Sequence, residues 1–141
     1  MFAGSLLKVY IPADNVFVDF PLKWIRYESY KATPQQRMEW SAERDVSGYL
    51  WRETVQNQPP KIEFETPYIK NADVEAISAL LKKAYQDAAQ RALTIQYYNM
   101  ESDDYRTAKC YLPDISYTIY NVDTDRNIIT YEPIRFAFIG Y

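Results

Sequence analysis

The amino-acid sequence predicts a mostly-β, α+β fold: an antiparallel β-sandwich or barrel flanked by one amphipathic helix over residues 71–91. Three observations carry this. Apolar and polar residues alternate in many short runs separated by Pro, Asn and Asp, the pattern of half-buried strands. Only Asn71–Arg91 has a helical period, with Val74, Ile77, Leu81, Ala84 and Ala88 recurring at steps of three and four on one face. Aromatic content is 16%, with 14 Tyr, and tyrosine suits both strands and surfaces that a partner will cover.

The elements follow in order. Lys8–Ile11 is a short strand closed by Pro12 and an Ala-Asp-Asn turn. Val16–Phe20 sets Val16, Val18 and Phe20 against Phe17 and Asp19. Lys23–Lys31 alternates again, with Trp24, Arg26, Glu28 and Tyr30 opposite Ile25, Tyr27 and Ser29, and is expected to be a strand engaged on both faces. Pro34–Arg44 fits either a short helix or an extended loop. Gly48 breaks the chain before Tyr49–Val55, a strand with Tyr49, Trp51, Glu53 and Val55 on one face. Pro59 and Pro60 exclude regular structure ahead of Lys61–Thr66, the cleanest amphipathic strand, with Ile62 and Phe64 opposite Lys61, Glu63 and Glu65. In the helix, Asn71 is the expected cap, and Asp73 and Glu75 favour the positive end of the dipole. Ala92–Met100, Tyr105–Leu112, Ile115–Val122 and Ile128–Tyr141 then read as strands of hairpin character.

At 141 residues the chain is expected to be a single domain, 1–141, with an extended hairpin or loop insertion about 24–55. A net charge of −3 gives no basic field for nucleic acid. The chain has no histidine, which removes the commonest general base and metal ligand together. Cys110 is alone, so it forms neither an internal disulfide nor a cysteine metal cluster, and it reads as a small buried strand residue. Neither a signal peptide nor a membrane span is read, and folding in the cytoplasm is the default expectation.

Other constellations have plainer explanations. Asp123, Asp125 and Asn127 resemble the start of a calcium loop, but Ile128 and Ile134 occupy the places of its glycine and its bidentate glutamate, so an Asx-rich hairpin turn is expected. Glu101, Asp103 and Asp104 cluster on a turn, without the apolar setting a glycosidase acid needs. Ser5 and Lys8 match a Ser-x-x-Lys spacing without its companion motifs. Gly4, Gly48 and Gly140 are too scattered for a phosphate loop. Trp24, Tyr27 and Tyr30 with Arg26 and Lys31 are able to stack single-stranded bases, but the interleaved Glu28 favours an ordinary strand. The expectation is a protein that is not an enzyme and holds no cofactor or metal.

Read as a unit, Arg44-Asp-Val-Ser-Gly48-Tyr-Leu50-Trp-Arg52-Glu-Thr-Val55 and Lys61-Ile-Glu-Phe64 are followed by Leu80–Lys83, Ile95–Tyr98, Arg106–Leu112 and Ile134–Phe138. This layout resembles small tail structural proteins of siphophages and prophages from Gram-positive hosts. It is also similar to the sandwich or barrel with one flanking helix of phage tail-tube, distal-tail and baseplate proteins. The resemblance covers roughly residues 44–141.

It implies a virion subunit in the tail tube, tail tip or baseplate, assembled as a ring, often hexameric. Its partners would be copies of itself and other tail or baseplate proteins, the tape-measure protein among them, with DNA only passing through the lumen and no membrane contact. It would assemble in the host cytoplasm and reside in the virion, and no catalytic residue carries over. Strands aromatic on both faces suit such packing, so Lys23–Lys31 and Tyr49–Val55, with Gln35–Ser47 between them, are expected to form a hairpin that contacts the next subunit or ring. Its interface residues are Trp24, Tyr27, Tyr30, Trp40, Arg44, Tyr49, Trp51 and Arg52. Lys61, Glu63 and Glu65 would face solvent or a mildly acidic lumen that repels DNA. The first alternative is a monomeric small-ligand or carbohydrate-binding β-domain whose exposed aromatics stack on sugars, and the second is an enzyme with an unrecognised carboxylate pair.

Overall fold

The structure is a computed structural model describing residues 1–141. It is mostly antiparallel β with one α-helix. The strands are β1 (Leu7–Ile11), β2 (Val16–Asp19), β3 (Lys31–Thr33), β4 (Glu39–Arg44), β5 (Leu50–Thr54), β6 (Lys61–Glu65) and β7 (Ile69–Lys70). After helix α1 (Asn71–Ala84) come β8 (Ala92–Asn99), β9 (Asp104–Tyr111), β10 (Ile119–Asp123), β11 (Ile128–Tyr131) and β12 (Arg135–Gly140).

Seven strands form the main sheet in the order β2-β1-β8-β9-β12-β6-β3. It does not close, because β2 and β3 remain its two edges, so the arrangement is a sandwich rather than a barrel. The second layer is α1, which touches β1, β7 and β11, together with the small sheet β10-β11-β7. Register places Leu7 opposite Tyr97 and Leu93 opposite Cys110, and it places Phe136 opposite Phe64 and Phe138 opposite Ile62. These pairs share the inner face and are buried. Twenty buried residues, from Leu7 to Phe138, make one contiguous cluster, with Ile77, Leu81 and Ala84 of α1 seated in it. The helix therefore braces the sheet through the face its period specifies.

Three expectations are corrected. The helix ends at Ala84, not Arg91, because Tyr85 is extended and Asp87 Oδ1 accepts hydrogen bonds from the Ala89 and Gln90 amides. That local Asx geometry competes with helix continuation, and it leaves Ala88 outside the helix and exposed. The Ncap is Lys70, with no side-chain cap, and Asn71 is already helical. Asp73 in the first turn instead accepts a hydrogen bond from Trp24 Nε1 at 3.3 Å. Finally, Lys23–Lys31 is not a strand. It holds two single 3-10 turns, Leu22–Trp24 and Tyr27–Ser29, before β3 begins at Lys31. Trp24, in the first of these turns, and Ile25, which follows it, are both buried. Pro34–Arg44 resolves into an extended segment whose second half is β4.

The insertion is thus narrower than residues 24–55. β4 and β5 pair only with each other, and the stem is held where Gln36 N–H donates to Pro59 O and Gly140 N–H to Pro60 O. Gly140 is required there, because a Cβ would sit 2.5 Å from Pro60 Cδ and 3.0 Å from Pro59 Cβ, with rigid rings unable to yield. Gly140→Ala is expected to cost about 1–3 kcal/mol through overpacking. Urea denaturation measures this, and unchanged stability would show that the stem relaxes freely.

Candidate functional site

The β4–β5 hairpin is the first unusual surface. Every residue from Arg37 to Thr54 is exposed, on both faces. Its tip is organised by Asp45, whose Oδ1 accepts from the Ser47 and Tyr49 amides at 2.9 and 3.1 Å. Its Oδ2 accepts from Trp51 Nε1 at 3.2 Å. Gly48, at φ +87°, supplies the left-handed turn residue, and Arg44 donates to its carbonyl at 2.9 Å. The hydrogen bonds from the Ser47 hydroxyl and then Trp51 hold the Asp45 carboxyl below the usual carboxylate range. Arg52 pairs with Glu39 across the strands. Tyr49 and Trp51 stand on one face in edge-to-face contact at 5.1 Å, while Trp40 lies at the irregularity between Glu39 and Ser41. Trp40, Tyr49 and Trp51 remain 79%, 62% and 63% exposed. No other element covers these rings.

A lowered Asp45 pKa means that the folded tip prefers the ionised carboxylate, so the order it confers is complete above the unfolded Asp value. It is lost as pH falls through the lower folded value. Trp51 fluorescence is expected to be constant from neutral pH down through the ordinary Asp range, about pH 4, and to change only below it. Asp45→Asn, which cannot ionise, is expected to remove that acid transition. A transition equally present in Asp45→Asn would assign it to another group.

The second surface is an apolar groove at the other end of the main sheet. Phe2, Leu6, Leu22, Tyr27, Tyr30, Tyr98 and Met100 line about 490 Å³, without a charged residue. One wall is fixed by Tyr30, whose hydroxyl bridges the carbonyls of Tyr98 and Leu6 at 3.0 and 3.3 Å. Burial raises the Tyr30 pKa, so the ring stays a neutral donor. Tyr27 is 67% exposed at the rim, and Phe2 packs edge-on against Tyr98 at 5.5 Å.

A third feature, a cleft on the outer face of β6, is charged. Arg26 bridges Glu65 and Glu28 at 3.1 and 3.2 Å, and Arg135 hydrogen-bonds Glu63. The Arg26 Nε–Glu28 contact is an ion pair whose angle does not make a hydrogen bond. Arg135 above all holds Glu63 below the usual carboxylate range, the opposite of what a proton donor at neutral pH needs. With Lys31 and Lys61 alongside, four cations meet three carboxylates on this face, so it is not the acidic surface expected from Lys61, Glu63 and Glu65 alone.

The remaining candidates serve structure. Cys110 is buried, and burial pushes its thiol up to about 12. Asp123 Oδ1 accepts from the Asp125 and Arg126 amides, closing the β10–β11 hairpin as an Asx turn. Asp103 and Asp104 accept hydrogen bonds from Tyr98 and Ser102 around the β8–β9 turn.

The eight predicted interface residues therefore separate. Trp40, Arg44, Tyr49, Trp51 and Arg52 stand together on the hairpin, while Tyr27 and Tyr30 belong to the groove. Trp24 is in the core, packed edge-on against Phe20, and offers no interface; its burial also dismantles the base-stacking trio. The sequence does not single out Phe2, Leu6, Leu22, Tyr98 and Met100, because no local pattern links these segments. Asp45 is missed too, although its position beside Arg44 and before Gly48 is an Asx-turn signal.

Comparison with known proteins adds a family and little more. Residues 1–141 match the model of a family of unknown function, DUF6711, and the chain belongs to it. No curated protein and no solved structure matches the chain.

Proposed function

We propose that this DUF6711 member is a structural subunit of a phage tail or a related contractile particle, built into rings in the tail tube, tail tip or baseplate. One observation carries the reading: the β4–β5 hairpin projects with every strand residue exposed and with Trp40, Tyr49 and Trp51 uncovered. A lone two-stranded hairpin is marginally stable in water and gains its order by packing on something. Clustered aromatics with arginines are also the composition of interface centres. The family resemblance of residues 44–141 supplies the tail context.

In this reading copies associate head to tail, each using two different surfaces, and the ring is joined by neither metal nor cofactor chemistry. Other tail or baseplate proteins stack on it, the tape-measure protein among them, and DNA passes without being held. The protein folds in the host cytoplasm and ends in the virion.

Light scattering of the purified chain, with negative-stain images, tests this. Rings of defined size are expected, and immunogold labelling is expected to fall on the tails of purified particles. A chain that stays monomeric at high concentration overturns the reading. That outcome favours a monomeric small-ligand or carbohydrate-binding β-domain, for which the apolar groove would be the site.

A further inference from the structure

We infer that the aromatic tip of one copy's β4–β5 hairpin docks in the apolar groove of the next copy, a contact that rests on the ring reading above and specifies its two halves. Their placement in the fold is the argument. The hairpin leaves the sheet after Thr33 and returns at Lys61, and these two residues pair with each other. That end of the sheet also carries Ile139, opposite both Lys61 and Tyr111, and Ala92, opposite Tyr111. The groove lies at the other end, where Leu6 precedes Leu7 and Tyr98 follows Tyr97 in a register pair, and Tyr30 precedes β3. Six residue steps along β8, from Ala92 to Tyr98, separate the two ends by about 20 Å.

A chain therefore cannot fill its own groove with its own hairpin unless the hairpin folds back over the sheet. The unbroken exposure from Arg37 to Thr54 shows that it does not. The two surfaces match in kind. The groove is lined by apolar and aromatic residues without a charge, and the hairpin offers exposed Tyr49 and Trp51 at a pre-formed tip locked by Asp45, with Trp40 nearer its stem. Anchors of this type, inserted into a desolvated pocket, dominate protein interfaces. The stoichiometry matches as well. Each copy has one hairpin and one groove at opposite ends, so a head-to-tail chain covers both surfaces on every copy once it closes into a ring. A twofold dimer made hairpin to hairpin would leave every groove open.

The test uses the full chain with Val46→Cys, at the hairpin tip beside Asp45, in one preparation and Tyr27→Cys in another. Both positions are exposed, so the fold tolerates them, and Cys110 is buried and does not compete for reagent. With a short bismaleimide, a crosslinked dimer is expected from the mixture and not from either variant alone. The double variant is expected to give a ladder of higher oligomers. Crosslinking of Val46→Cys with itself, or none in the mixture while light scattering still reports an oligomer, overturns the contact and leaves the ring reading standing. A native chain that is monomeric overturns both.

Binding of an apolar dye, anilinonaphthalene sulfonate, provides an independent measurement if a cysteine weakens assembly. The assembled native chain is expected to bind little. A monomeric Trp40→Ala/Trp51→Ala variant is expected to bind more, and adding Met100→Glu to it is expected to abolish the gain. Equal binding to assembled native chain and monomeric variant shows the groove open in the oligomer, available to a small ligand or a different protein, and refutes the contact.

Discussion

Phe64→Ala is expected to destabilise the fold by about 3–5 kcal/mol, the usual cost of emptying a large aromatic site in a packed core. Phe64 is 1% exposed on the inner face of β6. Its ring lies 5.4 Å from Phe20, 5.6 Å from Phe136 and 6.2 Å from Phe138, so three further aromatic rings lose a neighbour at once. The surrounding backbone has little freedom to collapse into the space, because β6 is paired on both sides, with β12 and β3. Urea denaturation is expected to show a lower midpoint at an unchanged slope. Phe17→Ala, at a ring 40% exposed on edge strand β2, is the control and is expected to cost far less. Similar losses at the two positions would refute the assignment of the core to this face of the sheet.

The second large effect is on assembly rather than folding. Under the proposed ring assembly, Trp40→Ala and Trp51→Ala together are expected to convert the oligomer to monomer while leaving the unfolding midpoint of the body nearly unchanged. Both rings are mostly exposed and touch the core nowhere, so their removal opens no cavity. At an interface centre, each such anchor is worth about 2 kcal/mol or more, roughly thirtyfold in affinity, although neighbouring anchors do not add strictly. Light scattering over a concentration series reads the loss, and far-UV dichroism checks that the strands persist. Unchanged association would remove the hairpin from the interface, whatever the protein's role.

The legible and illegible parts of this chain divide by the range of the forces involved. Ile62 and Phe64 alternating with Lys61, Glu63 and Glu65 specify a strand and its buried face without knowledge of any neighbour, and both faces are as expected. The same holds for Val74, Ile77, Leu81 and Ala84 on α1. Lys23–Lys31 shows where alternation misleads. Its period of two is mimicked by consecutive turns that bury Trp24 and Ile25 together, which only the positions of Phe20 and Asp73 impose. The helix end is missed for a related reason, since Asp87 draws the chain into a turn through hydrogen bonds that leave no mark on the apolar period.

The candidate site divides in the same way. Trp40, Tyr49 and Trp51 are recognisable in one dimension, because large aromatics on both sides of a glycine turn imply a surface awaiting cover. The groove is not, since Phe2, Leu6, Tyr27, Tyr30, Tyr98 and Met100 meet only once β1 pairs with β8 and the turns before β3 fold over their ends. Class, helix face and strand faces follow from side-chain periodicity, which is a local property of a pleated or helical backbone. Sheet order, the burial of Trp24 and the separation of hairpin from groove depend on which distant strands share hydrogen bonds. That choice is made by packing the whole core at once, and no single segment encodes it.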